Sequence, residues 1–240
     1  MWALFLFKYG DNNLPMTTLK TKRAECFVCG THNRYSEVAS TSTYGYPDLD
    51  TRPQRPSRYN LKYEVHRCRS CGYCSEDLSK GDSRTKELVN SQAYQAIVDN
   101  EEIPIFAASY LALSYEKEQK NDFLDSAWDV IKAAWLCDDR PDHDVAKQCR
   151  EKAISLIAKA TAIGQHRVKF VYLTEMVTVD LMRRTSQFEL AINLLEELKL
   201  KVEDKNHKQI IEYQLYLISN KDTDSHSYGN AFKNYRVVGV

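Results

Sequence analysis

Apolar and polar positions change rhythm along the chain near residue 80. Before it, apolar residues come in short alternating stretches such as Leu61-Lys62-Tyr63-Glu64-Val65, the two-residue period of a strand. Beyond it the period is helical almost to the end. Leu88, Val89, Ala93, Ala96 and Ile97 share one side of a helix predicted over 87–98. Pro104 stands where a helix starts without losing a backbone bond, ahead of Phe106, Tyr110, Leu111 and Tyr115. Asn121 or Asp122 is expected to cap the next helix, which carries Leu124, Ala127, Trp128, Ile131, Ala134 and Trp135 and ends at Asp138-Asp139-Arg140-Pro141. Trp128 and Trp135, seven apart on that stripe, read as core. Further helices are predicted at about 144–162, 167–184, 187–201 and 207–219. The stretch 221–240 is polar, without a period until Val237-Val238, and reads as a flexible tail.

About seven helices separated by short polar turns predict antiparallel helical hairpins. Two turns look alike: Asn121 to Ala127 and Ser186 to Ala191 each run from polar residues through an aromatic to a small Ala. The two alanines, Ala127 and Ala191, lie 64 residues apart, close to two repeats of roughly 34 residues, the tetratricopeptide unit. The second turn fits that repeat closely and the first departs by one residue, which leaves a plain helical bundle as the other reading.

Composition narrows the function classes. Of 240 residues, 43% are hydrophobic and 28% charged, the balance of a folded globular chain, and 33 basic residues match 33 acidic ones, so any attraction to nucleic acid or membrane must be local. The 8 glycines are too scattered for a phosphate-cradling loop. The apolar run Met1–Phe7 lacks the basic start and cleavage site of an export signal, and Met16 is the alternative start, so residues 1–22 read as an N-terminal extension. No stretch nears the roughly 20 apolar residues of a bilayer span. His143, His166 and His207 stand alone on helices, with no His-Glu-x-x-His and no Gly-x-Ser-x-Gly, so no catalytic constellation emerges and a non-enzyme is expected.

Four of the 7 cysteines carry the chemistry. Cys26-Phe27-Val28-Cys29-Gly30 and Cys68-Arg69-Ser70-Cys71-Gly72 are matching knuckles, in which two thiolates from one tight turn reach the same ion and Gly lets backbone amides turn toward sulfur. Two knuckles supply Cys26, Cys29, Cys68 and Cys71, enough to close a tetrahedral zinc site with no open position. This pattern belongs to a reducing compartment, and the cytoplasm is the expected location. The intervening 38 residues exceed the usual spacing, at little entropic cost because loop closure grows only logarithmically. Cys74, three residues past Cys71, also allows an iron–sulfur reading, though the further Cys-Pro of ferredoxins is missing. Cys137 and Cys149 fall on apolar helix faces and read as core.

Between the knuckles runs a loop from Ser40 to Arg58 with Asp48, Asp50, Arg52, Arg55 and Arg58, a candidate partner-binding loop. Asp48 and Asp50 are expected to pair with Arg52 and Arg55 and so pin it. From Lys20 to Ser70 there are ten basic and five acidic residues, and with Tyr35, Tyr44, Tyr46, Tyr59 and Tyr63 this basic ribbon offers a second reading, phosphate contacts and stacking for nucleic acid. From Gly81 to Arg140 the balance reverses, with twelve acidic residues against six basic, which suits docking onto the ribbon within the chain.

The knuckle Cys26–Gly30, the segment Tyr44-Gly45-Tyr46-Pro47-Asp48-Leu49-Asp50-Thr51-Arg52-Pro53, the knuckle ending Cys71-Gly72-Tyr73 and Ala133-Ala134-Trp135-Leu136-Cys137-Asp138-Asp139 together resemble an uncharacterised bacterial domain-of-unknown-function family. Its members pair an N-terminal zinc-ribbon-like module with tetratricopeptide-like helices, and the resemblance covers about residues 23–200. It implies Cys26, Cys29, Cys68 and Cys71 as metal ligands and brings no activity; Cys74 departs from the pattern. The expectation is a mainly α chain: extension 1–22, zinc-ribbon-like β module 23–79, antiparallel helical-hairpin array 80–220 and tail 221–240. Its expected function is a scaffold or adaptor with one structural Zn2+, binding a protein or peptide through its helices; nucleic-acid binding by the ribbon and thiol or iron–sulfur redox chemistry are the alternatives.

Overall fold

The computed structural model describes residues 17–140, 144–166 and 172–233. Two small hairpins come first. Strands β1 (Thr17–Glu25) and β2 (His32–Thr41) pair antiparallel from Thr17 opposite Thr41 to Glu25 opposite His32, with an irregularity at Thr18/Leu19. Strands β3 (His66–Arg67) and β4 (Cys74–Ser75) make a second, two-residue ladder. Strand β1 thus begins within the expected extension and crosses its boundary; the apolar run Met1–Phe7 and the alternative start Met16 lie outside the described residues.

The strand expected at Leu61–Val65 is instead part of a 3-10 helix over Ser57–Tyr63. The reason lies in what is buried: Leu61 and Val65, four apart, face the core, whereas Tyr63 between them does not, so the working period is helical rather than two. Among the described residues no neighbouring strand completes a ladder there.

The helical array comprises α1 (Thr85–Val89), α2 (Gln92–Val98), α3 (Ile105–Gln119), α4 (Phe123–Cys137), α5 (Asp144–Ala162), α6 (Leu173–Arg184), α7 (Phe188–Lys201), α8 (Lys205–Ser219) and α9 (Tyr228–Phe232). The single helix expected over 87–98 breaks in two because the Ser91 hydroxyl accepts the Tyr94 N–H and starts a new helix. Consecutive helices from α2 to α9 pack on one another in chain order. Four of them, α3, α5, α6 and α8, end in the same way: a left-handed residue (Asn121, Gly164, Ser186, Lys221), followed by an N–H that reaches back five residues to a helix carbonyl at 2.8–3.0 Å. This shared reversal explains why the two turns look alike in sequence, and Ala127 and Ala191 beyond them are fully buried.

The capping of α4 differs from expectation. Neither Asn121 nor Asp122 caps with its side chain; the Gln165 side chain, from the turn after α5, accepts the N–H groups of Phe123 and Leu124 at 3.0 and 3.1 Å and donates to Asn121 O at 2.8 Å.

Two cores meet at α6. The first joins Cys26, Leu61, Cys68, Tyr73 and Leu78 of the cysteine module to α2–α5, including Trp128, Trp135, Cys137 and Cys149, and to Val177 and Leu181. The second lies against the other side of α6, at Met176 and Val179, and gathers α7, α8, α9 and Leu49. A helix walled on two sides buries residues on more than one face, and here Met176 to Leu181 and Arg183 are all buried, the polar Thr178, Asp180 and Arg183 among them.

Much of the expected tail is part of this second core. Asp222 and Asp224 carbonyls accept the fully buried Arg183 guanidinium at 2.6 and 2.8 Å, and α9 places Tyr228 and Ala231 in the core. Residues 221–233 are therefore ordered by backbone groups meeting a buried cation; 234–240 lie outside the described residues.

Candidate metal centre

Each cysteine knuckle is built by local backbone chemistry. Cys26 N–H donates to Thr31 O at 2.9 Å and Gly30 N–H returns to Cys26 O at 2.8 Å; Cys68 N–H donates to Tyr73 O at 2.7 Å and Gly72 N–H to Cys68 O at 3.0 Å. The turns close only because Gly30 and Gly72 take φ of +72° and +74°, which a side chain resists. The N–H groups thereby aimed at sulfur also correspond: those of Val28 and Cys29 at Cys26, and those of Ser70 and Cys71 at Cys68.

The two knuckles bring all four Sγ atoms within 4.8 Å of one another. Cys26 and Cys71 stand 3.7 Å apart and Cys29 and Cys68 3.6 Å apart. Four ligands at about 2.3 Å from one tetrahedral ion have edges of roughly 3.8 Å, so these sulfurs have the spacing of a single-ion site, and they are far beyond the roughly 2.05 Å of a disulfide. All four are free of disulfides. The donor set is compatible with a metal such as zinc.

Electrostatics gives the same answer. The Thr31 hydroxyl, 3.3 Å from Cys29 Sγ, together with the Thr31 N–H holds that thiol down to about 6, whereas burial pushes Cys26 and Cys71 up. Four thiolates this close require a cation to ionise together.

Asn33 of β2 joins the two knuckles. Its Nδ2 donates to Thr31 O at 2.8 Å and lies 3.5 Å from Cys68 Sγ, while its Oδ1 accepts Arg69 N–H at 3.2 Å. Spacing within the sequence does not point to Asn33 or Thr31, because their roles exist only once the hairpins are side by side. Tyr35 stacks on the buried His66 with centroids 3.7 Å apart, a second link between the hairpins. Cys74 stays out of the cluster: its thiol donates to Gly72 O at 3.2 Å, and burial pushes it up to about 11.

The centre is fused to the helices. Phe27 N–H donates to Leu78 O, the Gln95 side chain of α2 donates to Cys71 O at 3.2 Å, and an added Cβ on Gly72 would meet Val98 at 3.2 Å.

The predicted loop residues lie elsewhere, with partners that differ from the expected ones. Asp50 is 1% exposed; its Oδ2 accepts the Trp135 indole N–H at 2.7 Å and Arg184 at 3.0 Å. Arg52 is held by both oxygens of Asp139 at 2.8 Å. Asp48 pairs with Arg58 and accepts Gln54 Nε2 at 2.8 Å, and Arg55 rests over the Tyr59 ring at 5.1 Å. Asp48 and Asp50 thus look past their nearest arginines, because Leu49 between them is driven into the second core and the backbone bonds α9 through Leu49 N–H to His226 O and Tyr228 N–H to Pro47 O. The loop is a strap across the helical array, with Asp48, Asp50 and Arg52 buried.

Among the described residues no helix is long and apolar enough to cross a membrane. No curated protein and no solved structure matches the chain. Residues 19–227, which span both knuckles, the strap and the helices through α8, match the family model described as "Uncharacterized protein conserved in bacteria (DUF2225)", and the chain belongs to that family.

Proposed function

We propose that the chain is a non-catalytic, cytoplasmic scaffold whose cysteine quartet holds one structural Zn2+ and whose helical array, a degenerate tetratricopeptide-like repeat, binds a protein or peptide partner. The observation that carries the zinc assignment is the 3.6 and 3.7 Å sulfur spacing about a single point. An iron–sulfur cluster would spread the same thiolates over separate irons, and a redox pair would leave one knuckle without purpose. A hairpin module with so little core of its own gains from metal the folding energy it lacks, about 10–16 kcal/mol for structural zinc in small domains. Partner binding is supported by large apolar side chains left exposed on the helices: Ile105 and Phe106 on α3, Leu190, Ile192 and Leu200 on α7.

Two measurements test this. Metal analysis with an absorption spectrum, on protein purified without added metal, is expected to give one zinc per chain and no visible band; iron with colour, or reactive thiols without metal, overturns the zinc reading. Affinity capture from the native bacterium is expected to enrich a partner that Leu190→Glu with Leu200→Glu loses. A captured set identical for wild type and variant overturns the helical-surface reading.

A further inference from the structure

A cavity of about 690 Å3 opens between the strap and α9. The rings of Tyr44, Tyr46 and Phe232 and the cationic side chains of Arg55, Arg58 and Lys233 line it, and among the described residues no carboxylate does. In a chain whose 33 basic and 33 acidic residues balance, this is a local concentration of positive charge. Several of the ribbon's other cations are engaged: Lys20 and Lys22 with Glu37, Lys22 with Asp77, Arg67 with Asp99, Arg52 with Asp139. Arg55 and Lys233 have no ion pair among the described residues.

The lining is held ready rather than loose. Arg58 is fixed by Asp48 and by its Nε–H to Pro53 O at 3.0 Å, and Arg55 is parked over Tyr59. Tyr46 sits edge-on to Phe232, with centroids 5.3 Å apart, and lies so close to Gly229 that an added Cβ there would come within 2.9 Å of its ring. Despite this seating Tyr44 and Tyr46 remain 45% and 51% exposed. Aromatic faces open to solvent beside unpaired cations suit a flat neutral ring joined to a negatively charged group.

We propose that this cavity binds a nucleotide unit, the base stacking on Tyr46 and Tyr44 and the phosphate meeting Arg55 and Lys233. The volume falls in the usual range for small-ligand sites, roughly 300–1,000 Å3. The unit comes either from a single-stranded nucleic acid or from a free nucleotide. The site is neither the ribbon's strands nor the helical surface assigned to a protein partner, so it stands or falls independently of that assignment.

The test is fluorescence anisotropy of the full zinc-loaded chain with a labelled twelve-residue oligo-dT and, in a parallel arm, with fluorescently labelled AMP, unlabelled AMP also serving as competitor of the oligonucleotide. Saturable binding is expected to weaken roughly 7- to 20-fold between 50 and 200 mM salt, the response to two or three phosphate contacts on a single strand. Tyr46→Ala is expected to weaken binding roughly tenfold or more, Tyr46→Phe to retain it, and Arg55→Ala with Lys233→Ala to flatten the salt response. Zinc content and far-UV circular dichroism check that each variant is folded. AMP competing at the oligonucleotide's own affinity assigns the site to a free nucleotide, and AMP failing to compete assigns it to a strand. No saturable binding in either arm overturns the proposal, as does oligonucleotide binding that Tyr46→Ala leaves unchanged.

Discussion

Asp50→Asn removes a charge from a place that water cannot reach. The carboxylate is 1% exposed and takes three donors: Trp135 Nε1 at 2.7 Å and Arg184 at 3.0 Å on Oδ2, and Arg52 N–H at 3.1 Å on Oδ1. An amide of the same shape keeps the last bond but turns an NH2 group toward two donors. Breaking one side of a buried ion pair costs about 3–5 kcal/mol, and a buried N–H left unsatisfied about 1–3 kcal/mol. Arg184 keeps Asp138 at 3.0 Å, so these losses overlap and the sum stays at about 3–5 kcal/mol. That is a large part of the roughly 5–15 kcal/mol that holds a typical domain. Asp139→Asn is the matched comparison: it too bonds an arginine, but its side chain is 50% exposed and Asp138 lies 3.9 Å from the same guanidinium, so about 1 kcal/mol or less is expected. Urea titration of the full chain at pH 7, followed by far-UV circular dichroism with metal content checked throughout, measures both. Equal losses for the two variants, or less than about 1 kcal/mol for Asp50→Asn, would refute the reasoning that a desolvated carboxylate pins the strap. A double-mutant cycle with Trp135→Phe is expected to show coupling of about 1 kcal/mol or more between indole and carboxylate.

Three further outcomes are expected. Gln165→Ala strips two N–H groups at the start of α4 of their acceptor and is expected to lower stability by about 1–2 kcal/mol in the same titration, while an unchanged midpoint would show that water caps the helix equally well. Gly72→Ala and Gly164→Ala both force a side chain to φ near +75°, costing about 1 kcal/mol at Gly164, where nothing lies within 4 Å. At Gly72 the new Cβ also meets Val98 at 3.2 Å beside Cys68 and Cys71 of the quartet, so a greater loss together with weaker retention of the proposed zinc against a chelator is expected, and equal behaviour of the two variants counts against this account. The Lys120 ammonium and the Arg84 N–H hold the Asp82 carboxyl down at about 2. A depressed acid stabilises the fold above its unfolded value, about 3.9, and that contribution is lost as pH falls through 4 toward 2; Asp82→Asn is expected to flatten this limb of the stability–pH curve by a few tenths of a kcal/mol, since the group is half exposed.

How far the sequence leads depends on how local each feature is. The two knuckles are legible because five consecutive residues contain the whole device, with both thiols, the turn and the glycine, so Cys26, Cys29, Cys68 and Cys71 are found from spacing alone. Helix α5 is legible for the same reason, since a period of 3.6 over nineteen residues needs no distant partner to be seen. Where the pattern is short it misleads: five alternating residues at Leu61–Val65 suit a strand or a helical turn, and the bonds that Leu61 and Glu64 make to Tyr110 of α3 and Lys132 of α4 exist only in the folded chain.

What the tertiary structure alone decided is which polar groups meet. Gln165 caps a helix that begins forty-two residues earlier, Asn33 bridges to a cysteine thirty-five residues on, Asp50 finds Arg184 one hundred and thirty-four residues away, and the strap binds a segment that by composition is a polar tail. Composition and period report what a residue prefers against water, and that determined the module, the helices and the cysteine quartet. They carry no information on which buried donor will face which acceptor, because that pairing has its full value only after the core has excluded water around both.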